Sequence, residues 1–334
     1  GEYTKRAFLS GKIDLVQAES IGLLISSRSS MIAKKQSSIL KGSLSITIEK
    51  LRKDLLRTLA ELEFEFDISE SDLLRPGLRE EITKSLKNNT LSISNLLETY
   101  NEGRVYKEGV RVVLCGQPNA GKSTLMNALL GEERSIMSPT PGTTRDTITS
   151  GLTLGGIPIT LIDTAGMGIN RPSDTIEAEG VARTKREIIN ADIVIYVFSG
   201  DTKIVDFIED KERVVVFNKT DKFPKPDLPY ISCSVSVINK KGIENLKTII
   251  EKKVLNITTG SNDVFLNTLR QKRSLVDCSS FLERAIKNTQ ILNPLYELAA
   301  ADIRSAIDCL EVFLGKTTSE EVLAEVFSDF CVGK

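Results

Sequence analysis

The glycine-rich run at residues 116–123, GQPNAGKS, constrains this 334-residue chain more than any other feature. It has the form G-x-x-x-x-G-K-[ST], in which the glycines let the backbone curl so that successive N–H groups point at phosphate oxygens. Lys122 can reach the β- and γ-phosphates, and Ser123 can place its hydroxyl on Mg²⁺. A strand-like run at 110–114 precedes the loop and a helix-like run at 124–130 follows it. This order predicts a phosphate-binding loop at the N-terminus of a helix.

Aspartate loops follow two later strand-like runs, at residues 163–166 (DTAG) and 218–221 (NKTD). In the first loop, Asp163 can hold a Mg²⁺-bound water and Gly166 can offer its N–H to a γ-phosphate. In the second loop, the Asp221 carboxylate only accepts hydrogen bonds, so it matches the two adjacent donors on guanine and repels the ring acceptor of adenine. Loops at the carboxyl ends of parallel strands meet in the crevice of a doubly wound sheet. The set therefore predicts a guanine nucleotide in that crevice.

Further segments fit the same nucleotide. The stem of Lys219 can lie along the base, and Asn218 can tie its loop to the phosphate loop. The run 232–234, SCS, follows a short strand-like run, and we expect it at the guanine carbonyl. A threonine of the GTTRD run at 142–146 can complete the Mg²⁺ shell while a γ-phosphate is present. Hydrolysis would remove that contact and release the loop, which is the physical basis of a switch.

The group that would activate the attacking water is not obvious from the motifs. Met167 follows Gly166, where many related GTPases place a glutamine, and a thioether cannot orient water. The chain contains no histidine, so the most common general base is missing. Glu177 and Glu179 lie just beyond the loop at 168–175 and are the nearest carboxylate candidates. From the residues alone, Glu177 either orients the water or is a first-turn glutamate stabilised by the helix dipole.

Composition restricts the class of protein. The net charge of −1 excludes a generally basic nucleic-acid binder, so any RNA contact needs a local patch. Five cysteines without a C-x-x-C pair argue against a disulfide framework or a zinc site and predict a cytoplasmic protein. No apolar run approaches the ~18 residues of a membrane span. The candidate RNA-contacting residues, which can equally form a solvated helix face, are Lys34, Lys35, Lys41, Lys50, Arg52 and Lys53.

Three blocks succeed one another along the chain. Residues 1–106 and 258–334 carry helical periodicity, whereas residues 107–257 alternate strand and helix signals. The last block is too short to bury a good core alone. We therefore expect it to pack on the first block, forming one discontinuous helical domain with the α/β domain inserted.

Motifs outside the nucleotide-binding block carry a family resemblance. The opening GEYTKRAFL at 1–9, its continuation through residue 19, the GTTRD run and the closing FCVGK at 330–334 resemble the family of tRNA modification GTPases called MnmE or TrmE. The resemblance covers essentially the whole chain. It implies an α/β P-loop GTPase domain, with a doubly wound and mostly parallel sheet, inserted in an all-α helical domain. The family also has an N-terminal folate-binding domain, which we expect to have been removed because the chain begins at Gly1.

The resemblance implies GTP hydrolysis to GDP and phosphate that depends on K⁺ and on dimerisation of the GTPase domains. The family's D-x-V-E pattern matches residues 174–177, which makes Glu177 the catalytic glutamate beside Lys122. The guanine-carbonyl contact, Ser-Ala-Lys in the family, falls on residues 232–234. The ligands implied for K⁺ are Asn119, Ser138, Thr140 and Thr143, and those for Mg²⁺ are Ser123 and Thr144. The complete expected nucleotide site is Asn119, Ala120, Gly121, Lys122, Ser123, Thr124, Ser138, Thr140, Gly142, Thr143, Thr144, Asp163, Thr164, Ala165, Gly166, Asn218, Lys219, Asp221, Ser232 and Cys233.

By the same resemblance, GTP turnover drives 5-(carboxymethyl)aminomethyl modification of the tRNA wobble uridine together with the FAD-dependent partner MnmG. Lys12 and Lys334 would contact a 5,10-methylene- or 5-formyl-tetrahydrofolate held with the missing domain. Cys331 is either a catalytic residue or a small buried hydrophobe. A ribosome-assembly GTPase, which shares the Gly-Thr-Thr-Arg segment, and a purely regulatory GTP switch stand as alternatives.

Overall fold

A computed structural model gives the fold. It describes residues 1–27, 29–68, 75–131, 149–164, 184–200, 212–258, 264–292 and 294–317, with residues 319, 323, 326 and 327; for 65–68 and 149–150 it describes the backbone alone. The chain divides into two compact units. The helical unit comprises Gly1–Lys107 and Gly260–Lys334, and the α/β unit comprises Glu108–Thr259. The boundaries predicted at 106/107 and 257/258 fall beside these limits.

Helices make up the regular structure described in the helical unit. They are α1 (Glu2–Leu9), α2 (Leu15–Ser26), α3 (Ser30–Leu40), α4 (Ser43–Ile68), α5 (Leu78–Glu98), α6 (Tyr100–Glu108), α9 (Leu269–Gln290) and α10 (Tyr296–Leu314). Local sequence explains several of their ends. Asp14 caps α2 in a capping box with Gln17, whose side chain accepts from the Asp14 N–H. Gly77 precedes α5 with a φ of 88°, in the left-handed region that glycine tolerates best.

The core of the helical unit joins its two chain segments. On α4 a stripe of leucines three and four residues apart is buried, and an isoleucine and leucine stripe on α10 is buried as well. Helix α9 packs against α5 and α10, and α10 packs against α4. Because each segment buries its apolar stripe against the other, they form one core. The buried stripe residues are Leu51, Leu55, Leu59, Leu62, Ile303, Ile307, Leu310 and Leu314.

The α/β unit is built on a six-stranded sheet with the strand order β2-β3-β1-β4-β5-β6. All neighbouring strands are parallel except β2, which runs antiparallel to β3 at one edge. The predicted fold class, a doubly wound and mostly parallel α/β domain inserted in an all-α domain, is confirmed. The strands and named helices are β1 (Val110–Gly116), α7 (Lys122–Leu130), β2 (Thr149–Leu154), β3 (Ile157–Asp163), β4 (Ile193–Phe198), β5 (Glu212–Phe217), β6 (Cys233–Ser234) and α8 (Ile243–Thr258).

The strand order places a crevice at the end of β1. Strand β1 pairs with β3 on one side and with β4 on the other, so the order of the chain reverses there. Ligands bind outside the carboxyl ends of parallel strands at such a reversal. The β1, β3 and β5 strands end at Gly116, Asp163 and Phe217, which brings the three predicted loops to one edge of the sheet.

Among the helices that the structure describes, none combines the length and the apolar character needed to cross a membrane.

Candidate nucleotide-binding site

The phosphate loop between β1 and α7 depends on two glycines with positive φ. Gly116 has a φ of 131°, and a Cβ added there would lie 2.0 Å from the Val197 carbonyl oxygen of β4. Gly121 has a φ of 89°, and a Cβ there would lie 2.6 Å from Nδ2 of Asn218. Any side chain would therefore collide with a neighbouring strand or loop. The glycine spacing of the motif reflects this close approach as well as the turn itself.

Lys122 is held inside this loop. Its side chain is buried, and its Nζ donates to the carbonyl oxygens of Gly116 at 3.0 Å and Gln117 at 2.8 Å. Burial lowers the pKa of Lys122, while the charge of Asp163 acts in the opposite direction. The ammonium group is thus centred in the curl of backbone where the motif predicts phosphate oxygens.

Oxygen donors suitable for Mg²⁺ lie on both sides of the loop. Ser123 and Thr124 are exposed on the first turn of α7, and Asp163 is buried at the end of β3, where it pairs in register with Leu114. Thr164 donates its hydroxyl to the Leu114 carbonyl at 2.9 Å, which ties the end of β3 to β1. Hydroxyl and carboxylate oxygens are the ligands that Mg²⁺ prefers, together with substrate phosphates and water. Within the described ranges, His, Cys, Asp and Glu form no group of three that could hold a metal by themselves.

The loop after β5 is bonded to the phosphate loop, as the sequence predicts. Asn218, buried, donates from Nδ2 to the Ala120 carbonyl at 2.9 Å and accepts from the Lys219 N–H at 2.8 Å. Lys219 has a φ of 62° and donates from Nζ to the Asn119 carbonyl at 2.5 Å. These bonds fix the base-reading loop and the phosphate-reading loop relative to each other.

Asp221 is exposed beyond this loop and is oriented by a serine that the sequence analysis missed. The Ser236 hydroxyl donates to Oδ1 of Asp221 at 2.6 Å, while Val235 accepts from the Thr220 N–H at 3.2 Å. The bond from Ser236 lowers the pKa of Asp221, and nearby lysines act in the same direction. The lowered pKa extends the ionised range of this carboxylate to more acidic pH, and the ionised form is the one that only accepts hydrogen bonds.

The expected contact at Ser232 and Cys233 needs correction. The Ser232 hydroxyl accepts from the Val215 N–H at 3.1 Å, and Cys233 is a buried residue of β6, where burial raises the pKa of its thiol. Both residues are engaged with the sheet, so the segment beside Asp221 is the one that follows β6. Val235 is the residue that could have shown this from the sequence. It is apolar and buried, and it indicates that the strand segment continues past Cys233 and ends directly before Ser236.

Several predicted site residues lie outside the described residues. They are Ser138, Thr140, Gly142, Thr143, Thr144, Ala165, Gly166, Glu177, Cys331 and Lys334. Lys12 is described: it is exposed in the turn between α1 and α2 of the helical unit, and its N–H donates to the Ala7 carbonyl at 3.0 Å. The residues that the structure brings together are those of the phosphate loop, the end of β3 and the loop after β5.

A phosphate loop at the reversal of strand order, bonded to a loop that presents a single carboxylate, defines the nucleotide-binding domain of P-loop GTPases. The family model of the MnmE helical domain matches residues 15–331 of the chain. The tRNA modification GTPase MnmE of Natranaerobius thermophilus is 36% identical over 350 residues, which cover 100% of this chain and 76% of that protein. The MnmE of Aquifex aeolicus is 36% identical over 346 residues, with 100% and 76% covered. The chain belongs to the MnmE family of tRNA modification GTPases.

Among solved structures, the G domain of the T. maritima FeoB iron transporter matches 44% of this chain and 98% of its own length, at 26% identity and a TM-score of 0.33.

Proposed function

We propose that this chain binds GTP in the crevice at the end of β1 and hydrolyses it to GDP and phosphate. The observation that carries the proposal is the bond from Asn218 to the Ala120 carbonyl, 2.9 Å long. It joins a phosphate loop to a loop whose exposed carboxylate, Asp221, is already aimed by Ser236. Because the two loops are bonded to each other, the phosphate contacts and the base contact lie at a fixed distance, which suits a nucleotide. The Asp221 carboxylate only accepts hydrogen bonds, and it therefore selects guanine.

In the proposed reaction the phosphate loop and Lys122 hold the β- and γ-phosphates for in-line attack by a water. Ser123 and Thr144 would hold Mg²⁺, with Asp163 bonding a water of its shell, and the bound ion would neutralise charge on those phosphate oxygens. The Lys122 ammonium, buried beside the phosphates, stabilises the charge that develops in the transition state. Glu177 orients the water, since the position after the DTAG motif is a methionine.

Replacing the carboxylate of Asp221 by an amide tests how the site selects its base. Asp221→Asn replaces an acceptor by an amide donor, which suits the carbonyl that xanthine carries in place of the guanine amino group. We expect the affinity for GTP to fall ~100-fold and that for XTP to rise, measured by calorimetry with both nucleotides and with ATP. A wild-type chain that prefers ATP, or a variant that still selects GTP, would contradict the proposal.

The family membership supports two further proposals about turnover. Hydrolysis is stimulated by K⁺, with Asn119, Ser138, Thr140 and Thr143 as ligands, and it requires a dimer of GTPase domains. Asn119 is exposed with a φ of 60°, and its amide oxygen is a suitable ligand for a hard cation. Turnover in K⁺ against Na⁺, with sedimentation in the presence of GDP and aluminium fluoride, tests ion and dimer together. Glu177→Ala should abolish turnover, while the matched variant Glu179→Ala should retain it.

We propose finally that the hydrolysis cycle serves 5-(carboxymethyl)aminomethyl modification of the tRNA wobble uridine, in the cytoplasm and with an FAD-dependent MnmG partner. The support is membership in the family of tRNA modification GTPases across the whole chain. In this proposal Lys12 and Lys334 contact a tetrahydrofolate, and Cys331 lies near the modification centre. Mass spectrometry of tRNA from cells that lack the protein should show the wobble uridine without its 5-substituent, and unchanged nucleoside profiles would contradict it.

A further inference from the structure

A polar groove of about 690 Å³ lies on the helical unit, where the first half of α5 passes the C-terminal end of α9. The described side chains that line it are all polar or charged, with three cations and one carboxylate. Thr83 and Thr289 face each other there, with their hydroxyl oxygens 3.3 Å apart. The lining residues are Arg79, Glu80, Thr83, Lys84, Lys87, Asn88 and Gln290.

The cations of this groove are available to a ligand. Arg79 donates from Nη2 to the carbonyl oxygens of Gln290 at 2.6 Å and Ile291 at 3.1 Å, which fixes the guanidinium at one end. Lys84 and Lys87 are exposed, and within the described ranges neither forms an ion pair with a carboxylate. The described lining of the groove thus carries a net positive charge, with three cations against the single carboxylate of Glu80.

The basic residues of α4 that were named as candidate RNA contacts differ from the groove lysines in their ion pairing or in their position. Arg52 is paired with Glu311 at 2.6 Å and with Glu49 at 3.2 Å, so its charge is neutralised within the helical unit. Lys50 and Lys53 are exposed on α4, but neither lines the groove. They have the same i, i+3 spacing as Lys84 and Lys87, which makes them a matched control.

The dimensions and chemistry of the groove suit a sugar–phosphate backbone. Arg79 and Lys87 are eight residues apart on one helix, or ~12 Å along its axis, which spans about three successive phosphates of one strand. Thr83, Asn88 and Gln290 offer the hydroxyl and amide groups that commonly bond phosphate and sugar oxygens. None of the described lining residues is an apolar or aromatic anchor of the kind that dominates protein–protein interfaces.

We propose that this groove binds the backbone of RNA, and in this protein a stretch of the tRNA substrate. The inference rests on the proposed role in tRNA modification and adds to it the place where the tRNA is held. Lys84 and Lys87 bind phosphates, and Arg79 lies at one end of the groove.

The test compares Lys84→Gln/Lys87→Gln with Lys50→Gln/Lys53→Gln on the full chain, using unfractionated tRNA and a series of salt concentrations. Each pair removes two charges from exposed positions of one helix. We expect the first pair to weaken tRNA binding ~10-fold at 0.1 M salt and to reduce the salt slope by about 1.4, and the second pair to leave both unchanged.

Equal losses in the two double variants, or no loss in either, would overturn the groove as the RNA site. A loss of affinity for poly-glutamate with tRNA binding intact would assign the groove to an acidic protein and overturn it as well. GTP binding by the wild type is measured in parallel. A chain that binds GTP but no tRNA overturns this inference and leaves the GTPase proposal standing, whereas a chain that binds tRNA but no GTP does the reverse.

Discussion

The hydroxyl of Ser236 donates to Oδ1 of Asp221 over 2.6 Å, between loops that follow β6 and β5. Ser236 is buried, whereas Asp221 is exposed, so the serine is a fixed support for a carboxylate at the surface of the crevice. This bond is the largest cause of the lowered pKa of Asp221. One hydrogen bond therefore both aims the carboxylate and extends its ionised range to more acidic pH.

Ser236→Ala should weaken GTP and GDP binding several-fold, because an exposed carboxylate without its support loses both a preferred rotamer and a hydrogen bond. Calorimetric titration with GDP measures the effect. Ser232→Ala is the matched control, since Ser232 bonds the Val215 N–H of the sheet instead. If Ser232→Ala lost affinity for GDP and Ser236→Ala did not, the guanine contact would belong to Ser232, as predicted from the sequence.

The same bond sets the acid limit of base recognition. The pKa of Asp221 lies below its ordinary value of 3.8, so the contribution of the charged form is complete above 3.8 and is lost as the pH falls through the lowered pKa. In Ser236→Ala the pKa should move up toward 3.8, and the loss should begin at higher pH. Titration of the carboxyl carbon by NMR checks both values, and an unchanged pKa in the variant would contradict the assigned cause.

The strands that line the site could be predicted because they are short, continuous and β-branched, as parallel strands covered on both faces are. Strands β1, β3 and β5 appear where the sequence predicts them. Strand β6 is harder to predict, because only Cys233 and Ser234 pair with β5. Two residues are too few to show the alternation of buried and exposed positions that marks a strand. Its register is set by Val216 and Phe217 of β5, so the position of Ser236 depended on a long-range pairing.

The sequence also could not predict which backbone atoms would lie close to the glycines of the motif. The motif shows that Gly116 is needed for a turn, but it does not show that the Val197 carbonyl of β4 occupies the space of a side chain. The bonds that Arg79 donates to the carbonyls of Gln290 and Ile291 likewise depend on which helix passes α5. Periodicity gives the face of a helix that is buried, while the partner of that face is determined by the fold.

Gly116→Ala should lower the free energy of unfolding of the α/β unit by ~3 kcal/mol or more. It combines a positive φ with a Cβ 2.0 Å from the backbone oxygen of Val197. Gly131→Ala is the control, because its φ is also positive at 48° while its nearest atom is 3.9 Å away. The control should cost only ~1 kcal/mol. Urea unfolding followed by fluorescence or CD measures both, and equal costs would show that φ alone determines the requirement.

Arg270 closes a buried network in the helical unit. It donates to Glu19 from Nε at 2.7 Å and from Nη2 at 3.0 Å, and to the carbonyls of Val312 and Phe313 at 3.2 Å each. Arg270→Met should cost ~3 kcal/mol, because the Glu19 carboxylate, which is buried, would lose its charge partner.

A double-mutant cycle separates the ion pair from simple packing. Glu19→Met/Arg270→Met should cost less than the sum of the two single variants, since it leaves no uncompensated charge. The exposed pair of Arg6 and Glu2 gives the control cycle, with a coupling of about 0–1 kcal/mol. Additive costs at Glu19 and Arg270 would show that the buried pair contributes no coupling energy.

Gly103 lies at the point where the chain leaves and re-enters the helical unit. Helix α6 leads into β1, and residues 264–267 lead back toward α9. A Cβ at Gly103 would lie 1.8 Å from the Leu266 carbonyl oxygen, and the Thr99 hydroxyl accepts from the Leu266 N–H at 3.1 Å. The rings of Tyr106 and Phe265 meet edge to face at 5.2 Å. The two passages of the chain are thus bonded to each other inside the helical unit.

Helix propensity and close approach make opposite predictions for Gly103→Ala. Alanine in a helix is ~1 kcal/mol more favourable than glycine, so α6 considered by itself would be stabilised. The Leu266 backbone cannot yield as a flexible side chain would, so we expect the helical unit to lose ~1–3 kcal/mol instead. Urea unfolding gives the sign, with Lys107→Ala, exposed on the same helix, as a control that should change stability by less than about 0.5 kcal/mol. A stabilised Gly103→Ala would mean that α6 and the returning segment are not held in contact.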